Sequence, residues 1–205
     1  MRGLIGKKIG MTRVFDSNGQ AIPVTVLEAG PCQVTQIKSI ERDGYESVQV
    51  GYSEAKIKHL NKPKEGHFNK HSVKPMRILA EFKKVPNFDY KPGQIFNVSL
   101  FKEGDYVTVS GKSKGHGFSG TVKKYSFSQQ RKTHGQGDTQ RHVGSIGAAS
   151  DPSRVFPGKK MPGRFGNKKV SVKSLEVIMI NEENNQLLVK GSIPGASNGV
   201  VVITR

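Results

Sequence analysis

The 205 residues carry 33 Lys and Arg against 16 Asp and Glu, a formal net charge of +17 and a pI near 10.0, which points to a polyanionic partner such as nucleic acid. No window approaches the roughly 18 consecutive apolar residues of a membrane span, and no segment pairs a basic face with a broad apolar one, so a membrane partner is excluded. The single Cys32 forms no internal disulfide; set in an apolar alternation that runs to Ile37, it reads as a small buried hydrophobe in a reducing, cytoplasmic setting.

Residues 1–20 are basic, and their apolar members (Leu4, Ile5, Ile9, Met11, Val14, Phe15) are interrupted by Gly and Lys, without the continuous apolar run or small-residue cleavage site of an export signal. Short β-branched runs follow at 22–27, 32–37, 47–52, 77–82, 106–109, 170–180, 186–190 and 200–204. Gly, Pro or Asn punctuates the gaps, as in Asn18-Gly19, Ala29-Gly30-Pro31, Asp43-Gly44, Pro92-Gly93, Asn184-Asn185 and Pro194-Gly195, which read as turns between mostly antiparallel neighbours. Helical periodicity is weak and no long repeat is present, so the pattern predicts a mainly β fold, a barrel or sandwich. A basic excursion at about 56–75, containing His59, Pro63, Gly66, His67 and His71, reads as an ordered departure from the barrel or a smaller RNA-facing loop.

The larger interruption spans 111–169: 59 residues with 13 Lys or Arg, two acids (Asp138 and Asp151) and 11 glycines, about a fifth of them apolar. Such a stretch buries too little surface to offset the entropy of ordering itself, and it needs a polyanion to fold against. Entered and left directly from strands, it costs little closure entropy, so the sequence predicts a barrel domain over 1–110 and 170–205 and an extended insertion over 111–169. Its candidate RNA-binding residues are Lys112, Lys114, His116, Lys123, Lys124, Arg131, Lys132, His134, Arg141, His142, Arg154, Lys159, Lys160, Arg164, Lys168 and Lys169. Phe118, Tyr125, Phe127, Phe156 and Phe165 are interleaved with them, able to stack on unpaired bases or to pin the segment to itself. No recognition helix or dimerisation heptad is present to enter a major groove, so folded RNA suits the chain better than duplex DNA.

Other chemistries are weaker. Gly115, Gly117 and Gly120 spell GxGxxG, with Asp138 at the distance of a ribose-binding acid, but no alternating strand–helix pattern surrounds them and no Walker or kinase motif accompanies them. His67 and His71 lack the Glu of a zincin and any cysteine partner, and neighbouring lysines would repel a cation, so no metal is expected. His134, Asp138 and Ser145 form a triad only in name, because no rigid scaffold is predicted to fix them. Three functional classes follow: a structural RNA-binding protein without cofactor, a nucleotide-using enzyme built on Gly115 to Gly120, and a DNA-compacting basic protein.

Several long motifs occur in one order over nearly the whole chain: GLIGKKIGMTRVFDSNGQAIPVTVLEAGPCQVTQIKS, GKSKGHGFSGTVKK, THG, GSIG, RVFPGKKMPGRFGN and LLVKGSIPG. Together they resemble the bacterial family of large-subunit ribosomal protein three. The resemblance implies a translation-protein-like β-barrel on the solvent side of the large subunit, with a long, basic, glycine-rich extension running inward through rRNA. It implies direct binding of large-subunit rRNA, contact with neighbouring ribosomal proteins, a role early in assembly, and no catalysis. The matching positions are 112–124, 133–135, 144–147 and 155–167, and Gly144, Ser145, Ile146, Gly147 and Ala148 become the extension tip near the peptidyl transferase centre. Some members carry a methylated Gln directly after GSIG; Ala148 stands there, so that modification is not expected here.

Overall fold

The structure, a computed structural model, describes residues 3–86 and 88–205. Its strands are β1 (Gly3–Phe15), β2 (Ala21–Ala29), β3 (Cys32–Lys38), β4 (Ser47–Glu54), β5 (Met76–Phe82), β6 (Ile95–Phe96), β7 (Tyr106–Lys112), β8 (Phe118–Ser119), β9 (Gly163–Arg164), β10 (Lys169–Asn181), β11 (Gln186–Lys190) and β12 (Val200–Thr204). Three short helices interrupt them: α1 (Ile40–Asp43), α2 (Lys62–Lys70) and α3 (Thr121–Tyr125). The fold is mainly β, and the strand pairs are antiparallel. Among the described residues, no helix is long and apolar enough to cross a membrane.

Six strands close into a barrel in the order β1-β12-β7-β10-β11-β2. Period-2 patterning decides which side chains fill it: Val107 and Val109 of β7, Leu187 and Val189 of β11, and Val201 and Ile203 of β12 are buried, while their sequence neighbours are more exposed. Closure pairs every barrel strand on both sides and removes the unpaired edges that invite aggregation. Curvature is introduced by breaks of register in β1 between Lys8 and Gly10 and in β10 between Val172 and Leu175, where Ser174 takes a left-handed backbone with φ of 55°.

β1 is the element the sequence pattern concealed. Its first residues alternate poorly because two lysines and two glycines interrupt the apolar positions, yet Leu4 and Ile5 are fully buried. The interruptions have long-range causes. The half-buried Lys8 Nζ donates to the carbonyls of Ile193 (3.0 Å) and Gly195 (3.4 Å), so its charge is met by backbone dipoles. A Cβ at Gly6 would stand 2.5 Å from the Glu28 carbonyl oxygen, a separation no side chain tolerates, so β1 and β2 approach this closely only with glycine there.

The segments 32–37, 47–52 and 77–82 form strands, but not of the barrel. They belong to a separate four-stranded sheet in the order β5-β4-β3-β6, which corrects the expectation of a single barrel. Alternation reports that a strand has one buried face, not which sheet it joins, and the two sheets share one core in which Leu4, Leu27 and Ile203 cluster with Val34, Val50 and Phe96. Cys32 lies fully buried in it; burial pushes its thiol up to about 11, and the neutral thiol donates a hydrogen bond to the Ile5 carbonyl (3.3 Å). Asp43-Gly44 also differs from expectation, since Gly44 (φ 80°) ends α1 as its left-handed cap.

The basic excursion folds as a 3-10 turn over Ile57–His59 followed by α2, whose Phe68 is buried. Its ends are tied by the Ala55 N–H donating to the Pro75 carbonyl (2.9 Å). By contact pattern the chain divides into two compact units, Met1–Ser113 with Lys169–Arg205, and Lys114–Lys168.

Candidate nucleic-acid interface

The root of the basic segment belongs to strands. β7 runs past Val109 to Lys112 and β10 begins at Lys169, with Gly111 opposite Val170 and Lys112 opposite Lys169. The expected boundaries of the insertion therefore move inward by two to three residues at the first end and one at the second. Gly111 has to be small: a Cβ there would press on the Pro194 carbonyl at 3.1 Å and on Val201 at 3.2 Å.

Within the second unit the two arms stay paired for several residues. The Asn167 N–H donates to the Lys114 carbonyl (3.4 Å), His116 N–H to Phe165 (2.9 Å) and Phe165 N–H to Gly117 (2.9 Å), and β8 then pairs with β9 through Phe118 opposite Arg164. Gly166, at φ 73°, lets the arms meet; any Cβ there would collide with the Lys114 carbonyl oxygen. The imidazole of His116 stacks on the Phe165 ring at 5.0 Å and 23°. Beyond β8 the chain turns into α3, where Ser119 and Thr121 are buried; the Ser119 hydroxyl donates to His116, whereas the Thr121 hydroxyl has no partner among the described residues. From Ser126 to Pro162 no regular secondary structure forms.

This frame sorts the aromatic residues. Phe165 is engaged with His116, and Tyr125 lies 6.1 Å from Phe127 with the ammonium groups of Lys124 and Lys160 at 5.0 and 5.7 Å from its ring. These rings pin the segment to itself. Phe118 is 81% exposed and Phe156 57%, the latter with the Arg154 guanidinium 5.5 Å from its ring. They are the two faces left open to a stacking partner.

Lys124 is half-buried; the other expected basic residues, Lys112, Lys114, His116, Lys123, Arg131, Lys132, His134, Arg141, His142, Arg154, Lys159, Lys160, Arg164, Lys168 and Lys169, are exposed. Ion pairs such as Lys38–Glu81 (2.6 Å), Lys74–Glu54 (3.1 Å) and Arg205–Asp105 (3.1 Å) belong to the barrel-and-sheet unit, whereas the extension has only Asp138 and Asp151 to set against its bases. Its positive field is thus carried on a backbone ordered at the root and turned to solvent.

At the tip, Gly144 takes φ of 77° and the Ser145 hydroxyl donates to the Gly147 carbonyl (3.0 Å), closing a small turn. Gly144, Ser145, Ile146 and Gly147 border a shallow hollow of about 430 Å³ with Arg154 and Val155. The Ser145 hydroxyl is thereby spent on its own backbone, not on His134. The glycine motif of residues 115–120 also differs from a dinucleotide loop, since it leads into α3, a helix of five residues. Away from the extension, His67 shares a hydrogen bond of 2.9 Å with the Gln49 side-chain oxygen and packs edge-on against His71. Burial, then His67, Lys70 and Arg42 nearby, holds the His71 imidazole below its ordinary pKa. Among the described residues, no group of three or more His, Cys, Asp or Glu side chains is placed to hold a metal ion.

Gly166 and the buried pair Ser119 and Thr121 are site residues that sequence reasoning did not single out. Composition marks the segment as glycine-rich, but which glycine clamps the arms depends on a contact 52 residues away in sequence.

Residues 83–192, which include the whole extension, match the protein family described as Ribosomal protein L3. The large ribosomal subunit protein uL3 of Thermotoga petrophila is 49% identical over 203 residues, covering 99% of this chain and 96% of that protein. The uL3 of Thermotoga maritima gives the same figures, and that of Petrotoga mobilis is 48% identical over 99% of this chain and 94% of its own length. The motif order, the extension between β7 and β10 and these end-to-end identities agree: the chain belongs to the ribosomal protein L3 family.

Proposed function

We propose that this protein binds large-subunit rRNA directly, that its extension buttresses the peptidyl transferase centre, and that it helps to nucleate subunit assembly. Its family is a structural component of the large ribosomal subunit in the cytoplasm and not an enzyme. The observation that carries the finer reading is the distribution of charge: a backbone ladder fixes the root of the extension, while its Lys and Arg heads stand in solvent beside only two acids.

Lys and Arg along the arms displace condensed counterions from phosphates, and Phe118 and Phe156 offer faces to unpaired bases. The tip at 144–148 is small and uncharged, with Arg141 and His142 before it and Arg154, Lys159 and Lys160 after it. Flanking charges anchor the arms, and the neutral turn acts by shape between closely packed RNA elements. The translation-protein-like barrel remains the solvent-side anchor, beside neighbouring ribosomal proteins.

Titrating binding to a large-subunit rRNA fragment against salt tests the electrostatic core of the proposal. If about six to ten phosphates are neutralised, affinity falls by about 10³ to 10⁵ between roughly 50 and 200 mM salt. A nearly flat dependence would overturn it. Removing charge at Lys159 and Lys160 is expected to weaken binding and slow assembly.

A further inference from the structure

The extension leaves a second basic surface unexplained. Residues 56–77 hold seven Lys or Arg and three His against one acid, Glu65. The structure folds this segment over the ends of β4 and β5, where Glu54 pairs with Met76, and encloses a cleft of about 510 Å³. Lys56, His59, Leu60, Lys64, Met76 and Arg77 line it. Three cationic heads thus share one hollow with the apolar sides of Leu60 and Met76.

The geometry points to an RNA-binding site in this cleft, one that takes a single unpaired nucleotide, its phosphate held by Lys56, Lys64 and Arg77 and its base against Leu60 and Met76. This rests on the reading of the protein as an rRNA binder and adds a contact on the other unit of the fold.

Three observations support it. The volume lies in the range of sites that enclose small ligands, and the mixture of a cationic rim with an apolar wall matches a nucleotide better than a bare anion. The one carboxylate in the lining, Glu54, is engaged by Lys74 at 3.1 Å, so its repulsion of a phosphate is offset. The walls are also fixed: the Ala55 N–H to Pro75 bond closes the excursion, the buried Phe68 and Val73 hold it down, and Arg77 rides on a sheet strand. An arginine so positioned presents its planar fork to two phosphate oxygens. The exposed Lys58, Lys62 and Lys70 on the same excursion extend the positive surface to adjoining phosphates, which favours a polynucleotide over a free mononucleotide.

The test uses the full chain and large-subunit rRNA. One variant carries Lys56→Ala, Lys64→Ala and Arg77→Ala; a second removes the same charge from exposed lysines outside the cleft and its excursion, with Lys84→Ala, Lys91→Ala and Lys102→Ala. The cleft variant is expected to lower the slope of log K against log salt by about 0.7, the share of one lost single-strand phosphate contact, and the second variant by less than half as much. In 2′-hydroxyl acylation probing, one unpaired nucleotide protected by the natural protein becomes reactive with the cleft variant alone. Wild-type affinity and slope in the cleft variant, or equal losses in both variants, would overturn the site. Uridine monophosphate saturating the cleft at micromolar concentration would replace it with a small-molecule site. If the natural protein fails to bind the rRNA at all, the proposed function falls first; if it binds and only the Lys159 and Lys160 changes weaken it, the cleft alone is refuted.

Discussion

Lys112 and Lys169 face each other as register partners on β7 and β10, both exposed, at the root of the extension. Like charges directly opposite in an antiparallel pair destabilise it, and an anion lying over the two relieves the repulsion. The free barrel therefore tolerates a local conflict that binding to phosphate would remove. Lys112→Glu is expected to stabilise the free protein by about 0.2–1 kcal/mol at low salt, less as salt screens the pair, and to weaken rRNA binding. Chemical denaturation and rRNA affinity measured on the same variant check it; both changing in the same direction would contradict the assignment.

Excising 114–168 and joining Ser113 to Lys169 by a short Gly/Ser linker is expected to leave a cooperative unfolding transition. The joined residues flank register partners, and the shared core contains no side chain of the excised segment. Calorimetry gives the answer, and loss of the transition would mean that the barrel depends on its extension.

Gly147→Val separates shape from stability. Gly147 does not need a left-handed backbone, and a Cβ there meets the Arg154 carbonyl at an ordinary 3.6 Å, so the free protein keeps its thermal midpoint within a degree or two. Subunits carrying it are expected to show altered peptidyl transfer or antibiotic sensitivity while assembling normally. Normal translation with Gly147→Val, together with loss of peptide-bond formation on Ser145→Ala, would mean that the tip supplies a chemical group.

Cys32 gives a pH signature. Its folded-state pKa is raised, so the thiol stays neutral in the fold after it has ionised in the unfolded chain. The stability this contributes is complete below the unfolded value of 9.0 and is lost as pH rises towards about 11. Compared with Cys32→Ala, the natural protein is expected to lose a stability advantage on the order of 2 kcal/mol across that window, at about 1.4 kcal/mol per pH unit. Parallel stability profiles for the two proteins would show that the thiol is not desolvated.

Much of the β structure was legible because burial and alternation coincide: the runs at 186–190 and 200–204 are β11 and β12, with Leu187, Val189, Val201 and Ile203 inward. Turn chemistry was legible too, since Gly19, Gly30, Gly93, Asn185 and Gly195 all take positive φ. β1 was not, because Lys8 and Gly6 answer to carbonyls near residues 193 and 28 that no local window contains. The partition of strands between barrel and second sheet was hidden for the same reason. In the extension, charge and glycine content announced a polyanion partner, but the clamp of Gly166 on Lys114 and the stacking of His116 on Phe165 depend on the return of the second arm.

The barrel closes by laying β12 between β1 and β7, so that Gly3 pairs with Thr204. These partners are separated by almost the entire sequence, and contacts so distant along a chain form slowly, because the entropy of closure is lost before the pairing offsets it. During synthesis the barrel cannot close until residue 204 has been made, whereas the bases of 114–168 are complete 36 residues earlier. For that interval the chain carries its strongly basic arm on an unfinished scaffold, open to any polyanion before its own fold is complete.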